Sequence, residues 1–252
     1  MIQEEDAIIE TRHPQHCAAV ILRLNRPHKK NALRSQDIAV LRDKLLRLQT
    51  DPDTTVIIIT GTGDAFTGGA DINQLNDLSG NAMNSFIEAQ VDILSHIVQS
   101  PKIIIAAVNG SSAGLGNHLT TCCDLALVRE NAVFHFTGAA KAIPSLLMGT
   151  LLLPMTIGLK RAKGIYLRGG KLTARQALDD GFCNQVVPAA DWDKEIDAIA
   201  AEFSARDSTT MAHNKFQLNQ GAYQMIGALK LSGLAGAMTL SQRSDMPAGK
   251  VK

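Results

Sequence analysis

One segment, from Ile103 to Asp124, constrains the fold of this chain more than any other. Its apolar beginning, Ile103–Val108, predicts a buried strand, the small residues that follow predict a tight loop, and a helix is predicted to begin near Leu115. The first amides of a helix have no acceptor within the helix and lie at the positive end of its dipole. The segment therefore predicts a backbone site for a negatively charged oxygen.

Strands and helices alternate up to about residue 190, which predicts an α/β fold. A strand is predicted at 18–24, followed by a helix that has Ser35 as its N-cap and runs to Gln49. The continuously apolar run Val56–Ile59 is typical of a strand that is covered on both faces. Further strands are predicted at 125–128, 133–136 and 184–187.

A glycine-rich loop, 60–72, follows the strand at Val56–Ile59. It lacks a Gly-Lys-Ser/Thr sequence, so it is not a Walker phosphate loop, and its Gly61-Thr62-Gly63 does not continue into the dinucleotide-binding pattern. Its glycines instead predict a backbone that approaches another group closely.

The pattern changes near residue 190, after which only helices are predicted, at about 191–204, 208–220 and 223–240. We therefore predict an α/β core over 1–190 and a C-terminal helical region over 191–252. The apolar faces of these helices need a partner surface, either the core or another subunit.

Charge and composition exclude several classes of function. The chain carries 25 Lys and Arg against 24 Asp and Glu, which gives no electrostatic case for nucleic acid as the main partner. It shows neither a secretory signal pattern nor an apolar run of the roughly 18–20 residues that span a bilayer, so we expect a cytoplasmic protein with no membrane partner. The four cysteines have no metal-ligand spacing, and we predict no metal site.

Four segments in this order resemble the enoyl-CoA hydratase/isomerase (crotonase) superfamily: Leu24–Leu33, Ala65–Ile72, Ile105–Asp124 and Leu172–Gly181. Each segment alone is a weak signal, but their order and spacing over about 18–190 are specific. The resemblance implies a spiral of ββα units, with the C-terminal region serving as a trimerisation or lid region. It also implies a homo-oligomer, either a trimer or a dimer of trimers.

The resemblance further implies acyl thioesters of coenzyme A as substrates, or of an acyl carrier protein, with no cofactor beyond the coenzyme A of the substrate. The shared chemistry is an oxyanion hole of two backbone amides that stabilises a thioester enolate. By position, the two donors are the amides of Ala70 and Leu115. The positions implied to bind substrate are Lys29, Lys30, Asp71, Ile72, Asn73, Gly114 and Gly138. For the two lysines, a solvated loop is an equal alternative to phosphate binding.

The chain departs from the family where hydratases carry two glutamates. Those positions hold His118 and Gly138, and a third position that is acidic in some relatives holds Leu146. Hydration needs a base for the water and an acid for the enolate carbon, so ordinary hydratase activity is not expected. His118 could act alone as an acid/base with a pKa near neutrality, and its alternative is a histidine that is hydrogen-bonded in the core.

Three functional hypotheses follow. The first is an enzyme of enoyl-CoA hydratase/isomerase type in which His118 replaces the usual glutamates. The second is a hydrolase that cleaves a carbon–carbon bond, or a decarboxylase, acting on a β-keto or carboxylated thioester; Thr137-Gly138 also matches a Thr-Gly that accommodates bicarbonate in dihydroxynaphthoyl-CoA synthases of this superfamily. The third is a catalytically silent protein that binds acyl-CoA.

Overall fold

A computed structural model describes residues 6–71, 73–74, 78, 80–138, 147 and 149–227. Its larger sheet has six strands in the order β1-β2-β3-β5-β7-β10, and only β1 is antiparallel to its neighbour. The bounds of these strands are β1 Ile8–Arg12, β2 Ala19–Leu24, β3 Val56–Gly61, β5 Ile103–Val108, β7 Leu125–Arg129 and β10 Gln185–Val187.

A smaller sheet has four strands in the order β4-β6-β8-β9. Its first three strands are parallel and β9 is antiparallel to β8. The bounds are β4 Ala65–Thr67, β6 Ser111–Ala113, β8 Val133–Phe136 and β9 Gly170–Thr173. Each of β4, β6 and β8 directly follows a strand of the larger sheet and precedes a helix, which confirms the predicted spiral of ββα units.

Eight α-helices of the described residues connect or cover these strands. Their bounds are α1 Ser35–Thr50, α2 Gly80–Gln99, α3 Leu115–Cys122, α4 Gly149–Ile157, α5 Leu159–Arg168, α6 Ala174–Asp179, α7 Trp192–Ser204 and α8 Ser208–Leu218. The predicted N-cap at Ser35 is wrong by one residue, because Arg34 occupies that position and its amide donates to the Asp37 carboxylate (2.9 Å). The part of the chain described here contains no helix that is long and apolar enough to cross a membrane.

The strand β3 is buried on both faces, as its continuous apolar sequence predicts. Ile57 and Ile59 lie in one apolar cluster, together with α1 and α2, whereas Val56 and Ile58 lie in a second cluster. Trp192 and other apolar residues of α7 complete the second cluster, so the first predicted C-terminal helix packs on the core. Residues 228–252, which include most of the predicted helix at 223–240, lie outside the described residues.

A buried lysine connects α8 to the segment that carries the candidate site. Lys215 is 4% exposed, and its Nζ donates to the carbonyls of Ile97 and Lys102 and to Oδ2 of Asp124 (2.8 Å). The same carboxylate oxygen accepts a hydrogen bond from the Ile104 amide (2.7 Å). Burying both charges is tolerated because each is paired and hydrogen-bonded. The chain just after α3 is thereby fixed to β5 and to α8.

Candidate functional site

Two loops meet at the carboxyl edge of the smaller sheet. Because β4 and β6 are parallel neighbours, the loop that follows β4 and the loop that follows β6 leave the sheet at the same edge. Gly69 has a φ of +88°, and a Cβ at this position would lie 2.7 Å from the Ala113 carbonyl oxygen and 3.0 Å from the Leu115 nitrogen. Only glycine fits this close approach, as the glycine-rich sequence predicted.

The amide of Ala70 points away from the neighbouring chain segment. Leu33 forms a parallel bridge with Ala70, in which the Leu33 amide donates to the Gly69 carbonyl (2.8 Å) and the Leu33 carbonyl accepts from the Asp71 amide (2.9 Å). The amide of Ala70 therefore faces the opposite side. Among the described residues it has no hydrogen-bond acceptor.

The amide of Leu115 is the first of helix α3. Gly114 is the N-cap, with a φ of +52°, and its carbonyl accepts hydrogen bonds from the amides of Asn117 and His118. No acceptor for the Leu115 amide exists within the described part of the chain, as expected at a helix start. The Leu115 side chain is buried in the core. Only its backbone is available to a ligand.

Buried polar side chains hold these loops in place, and the sequence predictions had not included them. Thr67 donates from Oγ1 to the Asn31 carbonyl (2.7 Å) and accepts from the Gly69 amide (3.0 Å). Asn109 accepts from the Gly61 amide (2.9 Å) and donates to the Gly63 carbonyl (2.9 Å). Fixed in this way, amide dipoles need no reorganisation before they meet a charge.

His118 lies one turn beyond Leu115 and is 7% exposed. Its ring is stacked on the ring of Tyr166, and the two ring centroids are 6.5 Å apart. Its Nδ1 is buried and has no hydrogen-bond partner among the described residues. A Cβ at Gly149, the first residue of α4, would overlap Nδ1 and lie 3.2 Å from Cγ. The imidazole therefore occupies space that only a glycine at position 149 leaves open.

The expected near-neutral pKa of His118 is wrong. Burial lowers the pKa of the imidazole to about 4, because the imidazolium would lose its hydration without gaining a partner. The side chain is consequently neutral at pH 7, and as a catalyst it would have to act from that neutral form.

This shift predicts a pH dependence of stability. Below pH 6.5 the unfolded chain protonates His118, whereas the folded chain does so only near pH 4, so protons favour the unfolded state in this window. The free energy of unfolding should fall by about 2 kcal/mol between pH 7 and pH 5 from this group alone. Urea denaturation of wild type and His118→Leu at both pH values measures the effect. The variant should lose that part of the decrease, and an equal decrease in both proteins would contradict the assignment.

The other predicted site residues differ in how far they are buried and in what they contact. Asp71 is bound by Arg26 (3.1 Å) and accepts from the Asn73 amide (3.2 Å). Burial raises the pKa of the Asp71 carboxyl, but these hydrogen bonds outweigh it and hold the pKa below its usual value. Asn73 is exposed, and Gly138 lies in a half-buried turn after β8. Ile72 and Leu146 lie outside the described residues.

Three of the four cysteines are unsuited to act as nucleophiles. Burial raises the pKa values of the thiols of Cys122, Cys123 and Cys183, which keeps them protonated at neutral pH. Cys17 is exposed and unbridged. Where the structure describes the chain, no three His, Cys, Asp or Glu residues gather in a group that could hold a metal ion.

Comparison with known proteins shows which proteins this chain resembles. A family model described as enoyl-CoA hydratase/isomerase matches residues 15–229. The crotonyl-CoA hydratase of Syntrophomonas wolfei is 30% identical over 202 residues, covering 80% of this chain and 78% of that protein. Among solved structures, an enoyl-CoA hydratase/isomerase from Mycobacterium paratuberculosis has a TM-score of 0.87 at 26% identity over 95% of both chains. One from Xanthobacter autotrophicus Py2 has a TM-score of 0.85 at 25% identity, covering 93% of this chain and 87% of that chain.

Proposed function

The chain belongs to the enoyl-CoA hydratase/isomerase family, and we propose that it processes an acyl-CoA thioester through an enolate held between the amides of Ala70 and Leu115. One observation carries this proposal. The amides of Ala70 and Leu115 have no acceptor among the described residues, and they lie in two loops that approach each other closely where Gly69 contacts Ala113 and Leu115. Two such donors close together would suit the oxygen of a thioester, on which charge develops as the enolate forms.

His118 is proposed as the group that moves the proton. A single neutral imidazole can take a proton from one carbon and return it to another, which is the requirement of a double-bond isomerase. Hydration would need a second protic group, and the two positions that could supply a carboxylate hold His118 and the glycine at 138. Isomerase chemistry is therefore favoured over hydration.

A second candidate is cleavage or decarboxylation of a β-keto or carboxylated thioester. The observation that favours it is the buried His118, because a pKa of about 4 leaves very little imidazolium at pH 7 to act as an acid. Loss of carbon dioxide, or attack of water on the β-keto carbonyl with release of the acyl fragment as a carboxylic acid, forms the enolate without a base that abstracts a proton from carbon. The enolate then takes up a proton from water. The same two amides would stabilise that enolate.

The proposed binding residues divide between the two ends of the substrate. Lys29 and Lys30 are proposed to meet phosphates of coenzyme A, and Asp71 and Asn73 its adenosine, whereas Gly114 and Gly138 border the thioester. Ile72 is part of the same proposal. Coenzyme A enters as part of the substrate, and a carrier-protein thioester is the alternative.

A homo-oligomer, a trimer or a dimer of trimers, is also proposed. Large apolar side chains that are exposed in the single chain support it. They lie on three neighbouring helices of the second half of the chain: Met155 on α4, Leu159 and Leu167 on α5, and Phe216 and Leu218 on α8. Exposed apolar patches of this kind mark surfaces that bind another protein.

A panel of thioesters in deuterated water tests the proposal. We expect mass spectrometry to show deuterium incorporation at the carbon next to the thioester for at least one enoyl-CoA, because an enolate exchanges that hydrogen with solvent. Loss of carbon dioxide or of a chain fragment from 3-ketoacyl- or malonyl-type thioesters would favour the second candidate. Measurable binding with neither exchange nor product on any thioester would contradict both and indicate a silent binding protein.

A further inference from the structure

The outer face of the smaller sheet carries two basic side chains from adjacent strands. His135 on β8 lies directly opposite Lys171 on β9, and residues opposed in this way project from the same face with Cβ atoms about 4.5–5.5 Å apart. Phe134 and Phe136, on either side of His135, are buried on the other face. His135 and Lys171 therefore face outward, His135 partly covered and Lys171 exposed.

A third basic residue is fixed beside the candidate oxyanion loop. Lys30 has a φ of +50° and Asn31 a φ of +54°. Two successive residues other than glycine adopt this left-handed backbone conformation only when the surrounding structure enforces it. The Asn31 side chain is fully hydrogen-bonded inside the protein, and the Lys30 carbonyl accepts from the Gly68 amide (2.7 Å). The Lys30 Cβ lies 3.9 Å from where a Cβ of Gly68 would be.

The charges of these side chains act on one another. Burial lowers the pKa of His135, and the positive charges of Lys171 and Lys30 lower it further. Neither lysine forms an ion pair within the residues that the structure describes. Arg26, in the same loop as Lys30, is by contrast paired with Asp71. Among the described residues, His135 and Lys171 on this face therefore have no acidic ion-pair partner.

The face adjoins the candidate site. His135 pairs with Ala113 across β6 and β8, so it lies one strand spacing, about 4.8 Å, from the residue that precedes Gly114. Lys30 borders the other loop through Gly68. His135 therefore lies close to the loop after β6, and Lys30 lies close to the loop after β4.

We propose that His135 and Lys171 on the outer face of the smaller sheet, together with Lys30 beside the loop after β4, form an anion-binding subsite, which takes a phosphate or a carboxylate group of the substrate. The proposal rests on the proposed function for the identity of the molecule that carries the anion. The anion site itself is testable without turnover, so a protein that turns over no thioester could still confirm it.

A nuclear magnetic resonance titration of the His135 ring tests the subsite with inorganic pyrophosphate and with glutarate as probes. A bound anion favours the imidazolium, so the pKa of His135 should rise on saturation. Lys171→Gln and Lys30→Gln should each weaken the binding of the effective probe by about tenfold, as expected for a lost hydrogen bond between charged groups. Lys171→Arg keeps the charge and should retain binding.

The matched control is Lys194→Gln, which makes the same change in net charge at an exposed position of α7. A response to pyrophosphate alone identifies the phosphates of coenzyme A as the anion, whereas a response to glutarate alone identifies a carboxylate on the acyl group. No change in the pKa of His135 with either probe would overturn the proposal. Equal weakening by Lys194→Gln and Lys171→Gln would also overturn it, because nonspecific charge would then explain the binding.

Discussion

Gly69→Ala is expected to lower turnover of the accepted thioester by on the order of a hundredfold or more, the usual cost of losing one oxyanion donor. The new Cβ would lie 2.7 Å from the Ala113 carbonyl oxygen and 3.0 Å from the Leu115 nitrogen, so the two loops must separate. The amides of Ala70 and Leu115, which are proposed to bind one oxygen, are then moved apart. Steady-state kinetics give kcat/KM, and urea denaturation shows how much of the protein is folded.

Gly158→Ala is the matched control for this experiment. Gly158 has a φ of +85°, against +88° for Gly69, and a Cβ there would meet no atom within 4 Å. Both variants place an alanine at a positive φ, which costs about 1–3 kcal/mol, but only Gly69→Ala adds the collision. We expect Gly158→Ala to keep its turnover. If both variants lose activity equally, backbone strain and not the geometry of the two amides explains the loss.

Five strands of the larger sheet could be predicted from the sequence because they are rich in apolar residues, whereas β1, Ile8–Arg12, was not predicted because polar and charged residues make up its second half. Ile103–Val108 and the helix start at Leu115 were predicted and are confirmed. Three strands of the smaller sheet, β4, β6 and β9, were not predicted as strands. They are short and rich in small residues, and they exist because distant segments pair with them. Local composition carries no signal for such pairing.

The geometry of the site, too, could be predicted only in part from the sequence. The glycines near Ala70 and Leu115 predicted that two backbone segments approach each other closely. Which atoms come together depends on the pairing of β4 with β6, which the glycines do not indicate. The supporting side chains of Asn31, Thr67 and Asn109 were missed, since a polar residue gives no sequence signal of whether it is buried and satisfied. The pKa of His118 was also predicted wrongly, because it depends on burial that only the packing of α3 against α4 reveals.

His118→Ala is expected to lower turnover by about 10²–10⁴-fold, the usual contribution of a positioned acid or base, while acyl-CoA binding is retained. The imidazole is proposed to move the proton, whereas the two amides proposed to hold the thioester oxygen are untouched by the substitution. Isothermal titration calorimetry measures binding and steady-state kinetics measure turnover. Unchanged turnover would show that His118 is a packing residue, which would favour the second candidate function.

Gly149→Ala tests the same role without removing the imidazole. Its Cβ would overlap Nδ1 of His118, so the ring must move or α4 must shift, and we expect at least a tenfold loss of turnover with about 1–3 kcal/mol of destabilisation. In the double variant with His118→Ala, the methyl group fills space that the imidazole has left, so the two stability losses should couple by about 1 kcal/mol or more. Gly164→Ala on α5 meets no atom within 4 Å and should leave turnover intact. Additive losses in the double variant would show that the two residues do not share this space.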